Sequence, residues 1–364
     1  FDSIVYGSTG YTGRLVAEHL LKTYGAAGDL KWAMAGRNEA KLKEVRAEIG
    51  APDSVPLVIA NADDQASLTA MAKRASVIIS TAGPYQLYGS GLVEACANEG
   101  TDYVDLTGEP NWIHAMRIHE DAAKKSGARI VFSCGFDSIP FELGAFFVEE
   151  IAKARLGAPV PRVKGRVRRM KGGFSGGTAA SLQATMAAAA KDPSIIAYLT
   201  DPFSLANGFK GPAQPPGDKA EHDPDLDAQV GPFVMATINT KNVHRANALL
   251  DHAWGQDFVY DEMVVIDPNA PPAAGLGGPN MPKPGEGPSK EERETGFFDV
   301  AFIGIAADGR QVRAGVTGDK DPGYGSTSKM ISEAAICLVK DATEVRGGVW
   351  TPGAAMGNRL IKRL

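Results

Sequence analysis

Cysteine is scarce in this sequence: Cys96, Cys134 and Cys337 are the only three in 364 residues, widely separated and odd in number. With no C-x-x-C pair and no cysteine–histidine set at metal-ligand spacing, the pattern argues against a disulfide framework and structural zinc and points to a reducing compartment. Surplus positive charge is also missing. The formal net charge is -5 and there is no basic tail, so no field gathers nucleic acid and no nucleic-acid partner is expected. No uninterrupted apolar run is long enough to span a bilayer, and no signal peptide is visible. A cytoplasmic location is expected, with any membrane contact peripheral. The chain opens at Phe1, without a methionine and almost inside a strand, so further residues are expected to precede it. A last absence is chemical. No Tyr-x-x-x-Lys follows the fifth strand-like run, which removes the catalytic set of short-chain dehydrogenases.

What is present is a globular composition, 44% hydrophobic and 22% charged, on a chain too long for one ordinary core. Two domains are expected. In the first, short apolar runs (3–6, 32–35, 57–60, 77–80, 103–106 and 129–133) alternate with helical patterns (12–23, 38–49, 67–74, 92–98 and 113–125). Parallel strands need crossover connections, so this alternation predicts an α/β, Rossmann-type doubly wound parallel sheet. Near Pro140 the rhythm changes. Helices over 141–152, 178–190 and 328–339, an alternating strand over 162–170 and a hairpin at Asp308-Gly309 predict a second, α+β domain. Residues 267–296 are rich in proline and glycine and read as a surface loop, either a lid or a disordered insertion.

Gly7-Ser8-Thr9-Gly10-Tyr11-Thr12-Gly13 follows a strand and opens a helix. In that context the glycines permit a tight turn and close backbone approach, and the helix N-terminus offers unpaired N–H groups to a pyrophosphate. The second strand selects the nucleotide. It ends Ala35-Gly36-Arg37-Asn38, without the carboxylate that holds an NAD ribose, and Arg37 suits a 2′-phosphate. NADP(H) is therefore the expected cofactor. Ala82, Gly83 and Pro84 follow the fourth strand and are expected beside the ribose and nicotinamide. Asp63, after the third, is expected near the adenine.

Further groups carry candidate chemistry. Tyr85 either hydrogen-bonds a substrate or packs. Asp137 and Ser138 stand at the carboxyl end of the sixth strand, where ligands bind in such sheets, although both residue types also cap helices. Ser175, Gly176, Gly177 and Thr178 open a helix and can receive a carboxamide or a developing enolate, or form a flexible turn capped by Thr178. Asp105 and Glu109 either hold Tyr85 or the nicotinamide ribose, or cap the helix after Pro110. Arg162, Lys164, Arg166, Arg168 and Arg169 form a basic stripe that strand alternation explains as a solvated face.

Gly7–Arg14, Ala35–Arg37, Ala82–Tyr85, Tyr103–Glu109 and Cys134–Pro140 together resemble the saccharopine dehydrogenase-like oxidoreductases, and more narrowly their trans-acting enoyl reductase branch. Ser175–Thr178, Gly323-Tyr324 and Thr351–Gly353 extend the resemblance over nearly the whole chain. It implies that the last helix returns to the first domain, so that residues 1–139 and about 340–364 form a discontinuous NADP-binding domain and 140–339 a substrate or oligomerisation domain. It also implies reduction of a C=C bond in a lipid- or polyketide-like enoyl substrate by hydride transfer. Two alternatives stay open: C=N or C=O reduction of the saccharopine dehydrogenase kind, and a non-catalytic, lipid-associated NADP-binding regulator. A homo-oligomer is compatible with each.

Overall fold

The computed structural model describes the chain except Phe174, residues 268–282 and Pro284. Most of the proline- and glycine-rich segment therefore lies outside the described residues. From Gly285 onward the chain runs as an extended stretch into a short helix.

The first half alternates strand and helix: β1 (Ser3–Tyr6), α1 (Tyr11–Tyr24), β2 (Trp32–Gly36), α2 (Glu39–Glu48), β3 (Leu57–Ile59), α3 (Gln65–Ala72), β4 (Val77–Ser80), α4 (Tyr85–Tyr88), α5 (Ser90–Glu99), β5 (Asp102–Val104), α6 (Pro110–Met116), α7 (Glu120–Ser126) and β6 (Arg129–Val131). β1, β2 and β4 are buried at every residue, as strands covered on both faces must be. The predicted helix over 113–125 is two helices joined by a 3-10 turn at Arg117–His119. The predicted sixth strand stops two residues early because Ser133 takes φ 61°, which turns the chain out of the sheet.

There follow α8 (Ile139–Leu156), β7 (Arg162–Lys171), α9 (Gly176–Lys191), α10 (Ile195–Thr200), β8 (Glu221–Asp223), β9 (Ala228–Pro232), α11 (Ala236–Leu249), β10 (Val259–Val265), α12 (Lys290–Glu294), β11 (Phe297–Ile305), β12 (Gln311–Gly318), α13 (Thr327–Lys340), β13 (Gly348–Trp350) and α14 (Pro352–Arg363). At the hairpin between β11 and β12, only Gly309 has positive φ, 86°. Asp308 instead accepts the Arg310 N–H through its side chain, so the expected pair of positive angles is replaced by one.

Seven parallel strands lie in the order β13-β6-β5-β4-β1-β2-β3. This is the doubly wound order with β13 added at one edge, and the chain reverses direction across the sheet between β1 and β4. A second, mixed sheet runs β12-β11-β7-β10-β9-β8, with β7 and β10 parallel and its other pairs antiparallel. One face of the first sheet packs Ile4, Ile78, Tyr103 and Ile130 against α3, α5 and α7. On the other face Val5, Ile79, Val104 and Val131 meet Ile331, Ala334 and Leu338 of α13, in a core continuous with Phe141 of α8 and with Val163 and Phe302 of the second sheet. The shared core joins the two sheets.

The basic stripe of β7 is a solvated face only at its end: Arg168 and Arg169 are exposed, whereas Arg162, Lys164 and Arg166 are not. Arg166 is 1% exposed, with Nε 2.7 Å from Asp223 and NH1 2.9 Å from Asp261. Lys164 reaches Asp223 at 3.1 Å and Asp225 at 2.5 Å, and Arg162 pairs with Asp261. The acidic partners come from β8, the loop after it and β10, distant in sequence, so strand alternation alone could not reveal the pairing.

Candidate active site

The site is assembled at the carboxyl ends of the parallel strands. The turn after β1 is shaped by its glycines. Gly7 has φ 90°, and a Cβ there would stand 2.8 Å from Thr81 Oγ1. A Cβ on Gly13 would stand 2.2 Å from the Gly7 carbonyl, so Gly13 lets α1 lie against the strand. Gly10 is exposed, and a Cβ there would meet only the Gly7 carbonyl, at 3.3 Å. Ser8 is buried, its hydroxyl donating to the Val5 carbonyl at 2.7 Å. Thr9 and Thr12 are half-buried beside it. No side chain caps α1, so its first N–H groups remain open to an anion. This cradle fits a pyrophosphate.

Arg37 leaves the end of β2 exposed and has no hydrogen-bond or ion-pair partner among the described residues. Asn38 caps α2, its Oδ1 accepting the Lys41 N–H at 3.0 Å. Asp63 is exposed after β3, and the buried Tyr6 lies within electrostatic reach of both Arg37 and Asp63. A free guanidinium at this strand end fits a 2′-phosphate.

Ala82 is half-buried and Gly83 exposed, and Gly83 faces α9, where a Cβ would come within 3.8 Å of Ser181 Oγ. Pro84 is buried and precedes α4. Tyr85 does not enter the cleft. It is 5% exposed; its hydroxyl donates to the Ser80 carbonyl at 3.0 Å and accepts the Leu106 N–H at 3.1 Å. With both valences spent on backbone, it anchors its loop to the ends of β4 and β5. Glu109 supports the same loop, accepting the Tyr85 and Gln86 N–H groups at 3.0 and 2.9 Å. Asp105 accepts the Thr107 and Ser133 N–H groups, and burial raises its pKa to about 7.

After β6, Ser138 is fully buried and stands at the N-cap of α8, but its side chain does not cap the helix. Its Oγ instead accepts from Asn242 Nδ2 of α11 at 2.8 Å. Asp137 is different. It is half-buried, makes no hydrogen bond among the described residues, and burial lifts its pKa to about 7. Its loop is held by the Phe136 N–H donating to Thr327 Oγ1 at 3.0 Å.

Ser175 is the N-cap of α9, again without a side-chain cap. Thr178 does not cap either; its Oγ1 lies 3.0 Å from Tyr324 Oη, which also accepts the Ser175 N–H. The Gly176 N–H is taken by the Glu286 carbonyl at 3.1 Å. Tyr324 meets Tyr11 edge-on at 5.0 Å, and Arg293 donates to Tyr11 Oη at 3.0 Å. The start of α9 is thus tied to the start of α1. Asp137 lies within electrostatic reach of both Tyr324 and Glu262, a buried carboxyl on β10.

The structure brings together the glycine turn, Tyr11, Asp137 and the start of α9. It leaves Tyr85 and Ser138 in support beneath them. Sequence reasoning missed Glu262, Asn239 and Tyr260, and gave Tyr324 no role. Only Tyr324 carried a local signal, beside a glycine in Gly323-Tyr324.

Residues 3–131 match the family model described as the saccharopine dehydrogenase NADP binding domain. The trans-acting enoyl reductase of Mycobacterium leprae is 33% identical over 100% of this chain and 95% of its own length. That of Mycobacterium tuberculosis is 34% identical with the same coverage. A second Mycobacterium tuberculosis protein, whose name assigns that activity provisionally, is 36% identical over 100% of this chain and 95% of its own. Among solved structures, saccharopine dehydrogenase (L-Glu forming) from Saccharomyces cerevisiae superposes with a TM-score of 0.55 at 13% identity, covering 100% of this chain and 96% of that one, a likeness of fold.

Proposed function

The chain belongs to the saccharopine dehydrogenase-like NADP-dependent oxidoreductases, in the trans-acting enoyl reductase branch, and on that premise we propose that it reduces the C=C bond of an apolar, lipid- or polyketide-like enoyl substrate. The observation that carries the reading is Asp137: a half-buried carboxyl without a partner among the described residues, past the carboxyl end of β6 and within electrostatic reach of Tyr324, which holds the start of α9. NADPH, when bound, supplies the hydride for the β-carbon. The turn at Gly7–Gly13 holds its pyrophosphate and Arg37 its 2′-phosphate. The Gly177 and Thr178 N–H groups at the start of α9 receive the substrate carbonyl oxygen and stabilise the negative charge that develops there. Asp137, whose pKa burial lifts to about 7 so that it is partly protonated near neutral pH, gives its proton to the α-carbon and is left as a carboxylate, which solvent reprotonates.

The apolar substrate class is supported by Leu87 and Tyr88 on α4 and Leu182 and Met186 on α9, all exposed. The two helices are joined beside the cleft by the hydrogen bond from Gln86 Nε2 to Thr185 Oγ1, 3.1 Å long.

The test is Asp137→Asn. Single-turnover oxidation of NADPH by an enoyl thioester should slow about a hundredfold or more. NADPH affinity, measured by calorimetry, should stay within about twofold, because the residue acts on the acceptor. Turnover equal to the wild type would remove Asp137 from the reaction.

A further inference from the structure

We propose that the Thr178 hydroxyl donates its hydrogen to the substrate carbonyl oxygen and that Tyr324 is the positioning residue that aims it. The inference rests on the reading that the start of α9 receives that oxygen, and it adds a side-chain donor to the backbone N–H groups named there.

Glycines bring Tyr324 to α9. Just past β7, a Cβ on Gly172 would stand 2.7 Å from Pro322 Cδ, and one on Gly323 would stand 3.0 Å from the Gly173 carbonyl. The turn at Pro322–Ser326 therefore lies close against the chain that enters α9. Asp321 fixes this turn, accepting the Tyr324 and Gly325 N–H groups at 3.0 and 2.7 Å. The Tyr324 ring meets Tyr11 of the cofactor turn edge-on. Its hydroxyl is thus mounted on α9 while its ring rests on the cofactor turn.

Counting hydrogens fixes the direction of the bonds. Tyr324 is 4% exposed. Its Oη accepts the Ser175 N–H and lies 3.0 Å from Thr178 Oγ1. Were Thr178 the donor, the buried phenol hydrogen would have no acceptor among the described residues, an arrangement that folded proteins avoid. Phenol is also the stronger acid of the two hydroxyls, hence the better donor. Tyr324 therefore donates to Thr178, and the chain runs one way, from the Ser175 N–H through Tyr324 to Thr178, each bond polarising the next. Thr178 is half-buried and has no other side-chain partner among the described residues, so its own hydrogen points away from Tyr324 and is free. Side chains on a helix tilt toward its N-terminus, which carries this hydroxyl toward the open N–H groups. Of the N–H groups from Ser175 to Ala179, Tyr324 takes the first, the Glu286 carbonyl takes that of Gly176, and the Ser175 carbonyl takes that of Ala179. Gly177 and Thr178 keep theirs. The hydroxyl joins them as a third donor to an oxygen that gains negative charge as hydride arrives, and a donor oriented beforehand needs no rearrangement at that moment.

The test is a double-mutant cycle, read in single-turnover oxidation of NADPH by a trans-octenoyl thioester with the full-length protein. Thr178→Val keeps the shape and removes the hydroxyl, and should slow the step about tenfold or more, whereas Thr178→Ser should stay within about threefold of the wild type. Tyr324→Phe lets the Thr178 hydroxyl turn and should slow the step about three- to tenfold. Added to Thr178→Val, it should cost less than about a further twofold, because nothing is left to aim. NADPH affinity should stay within about twofold in every variant. A second readout is the infrared carbonyl stretch of the thioester bound beside NADP+, which should rise in frequency in Thr178→Val and hold in Thr178→Ser; it serves if Tyr324→Phe does not fold. Slowing that multiplies in the double variant overturns the inference, as does a Thr178→Val protein with wild-type turnover or an unmoved carbonyl band. Failure of the underlying reading looks different: the wild type itself would leave the thioester unreduced.

Discussion

Arg37 and Asp137 stand out at the scale of the single residue for what they do not touch. The buried Arg166 is matched by Asp223 and Asp261, whereas Arg37 and Asp137 have no hydrogen-bond or ion-pair partner among the described residues. For Arg37 the consequence is nucleotide choice. Arg37→Ala removes a charge-assisted contact worth about 1.5–3 kcal/mol, so NADPH affinity should fall about ten- to a hundredfold while NADH affinity barely changes. Parallel titrations with the two cofactors check this, and equal losses would mean that Arg37 does not read the 2′-phosphate. The glycine turn and Arg37 were legible in the sequence because their chemistry is local: a strand, a turn and a helix start within a dozen residues. Tyr85 misled because nothing local shows that Ser80 and Leu106 consume its hydroxyl. Glu262 was illegible for a related reason. Its partner Asn239 arrives from α11, and in the sequence it is one acid in an alternating strand.

Single elements carry buried ionisable groups whose energetics are pH-dependent. On α8, Glu149 is fully buried; Oε2 accepts the Val160 N–H at 3.0 Å, and Oε1 has no partner among the described residues. Burial raises its pKa from 4.5 to about 8. Between those values the folded chain holds a proton that the unfolded chain has released, so the contribution of this group to stability falls as pH rises through that window. Glu149→Gln removes the titration. Relative to the wild type, the variant should gain about 1–3 kcal/mol of stability between pH 5 and pH 8. Urea unfolding at the two pH values measures it, and a difference independent of pH would contradict the assignment. The long helices and strands were largely legible from periodicity. β8, β9, α11, β10 and β13 were not. α11 buries Asn239, Lys241, Asn242, His244, Arg245 and Asn247, and this polar face, bonded mostly to residues of other elements, hides the apolar stripe that periodicity detects.

Across the whole molecule, the two sheets meet through a shared core and a small polar bridge. Tyr324 lies against Tyr11 of the cofactor turn while its hydroxyl holds Ser175 and Thr178 of α9. Tyr324→Phe keeps the ring and removes the tie. It should cost about 1 kcal/mol of stability and speed amide exchange at 175–179, with the parallel sheet unaffected. Unchanged exchange in that segment would show that the bridge does not hold it. At this scale the alternation of strands and helices made the doubly wound sheet readable. The strand order of the second sheet, set by pairings between distant segments, was not.

The central claim is hydride addition to a C=C bond with proton delivery from the protein. Its most direct test is isotopic. The protein is given an enoyl thioester with NADPH carrying deuterium at the transferable C4 position in ordinary water, and then unlabelled NADPH in heavy water. The account predicts a saturated product with one deuterium on the β-carbon in the first case and one on the α-carbon in the second. An untouched C=C bond, with deuterium from the cofactor appearing only in a ketone- or imine-derived product, would contradict it.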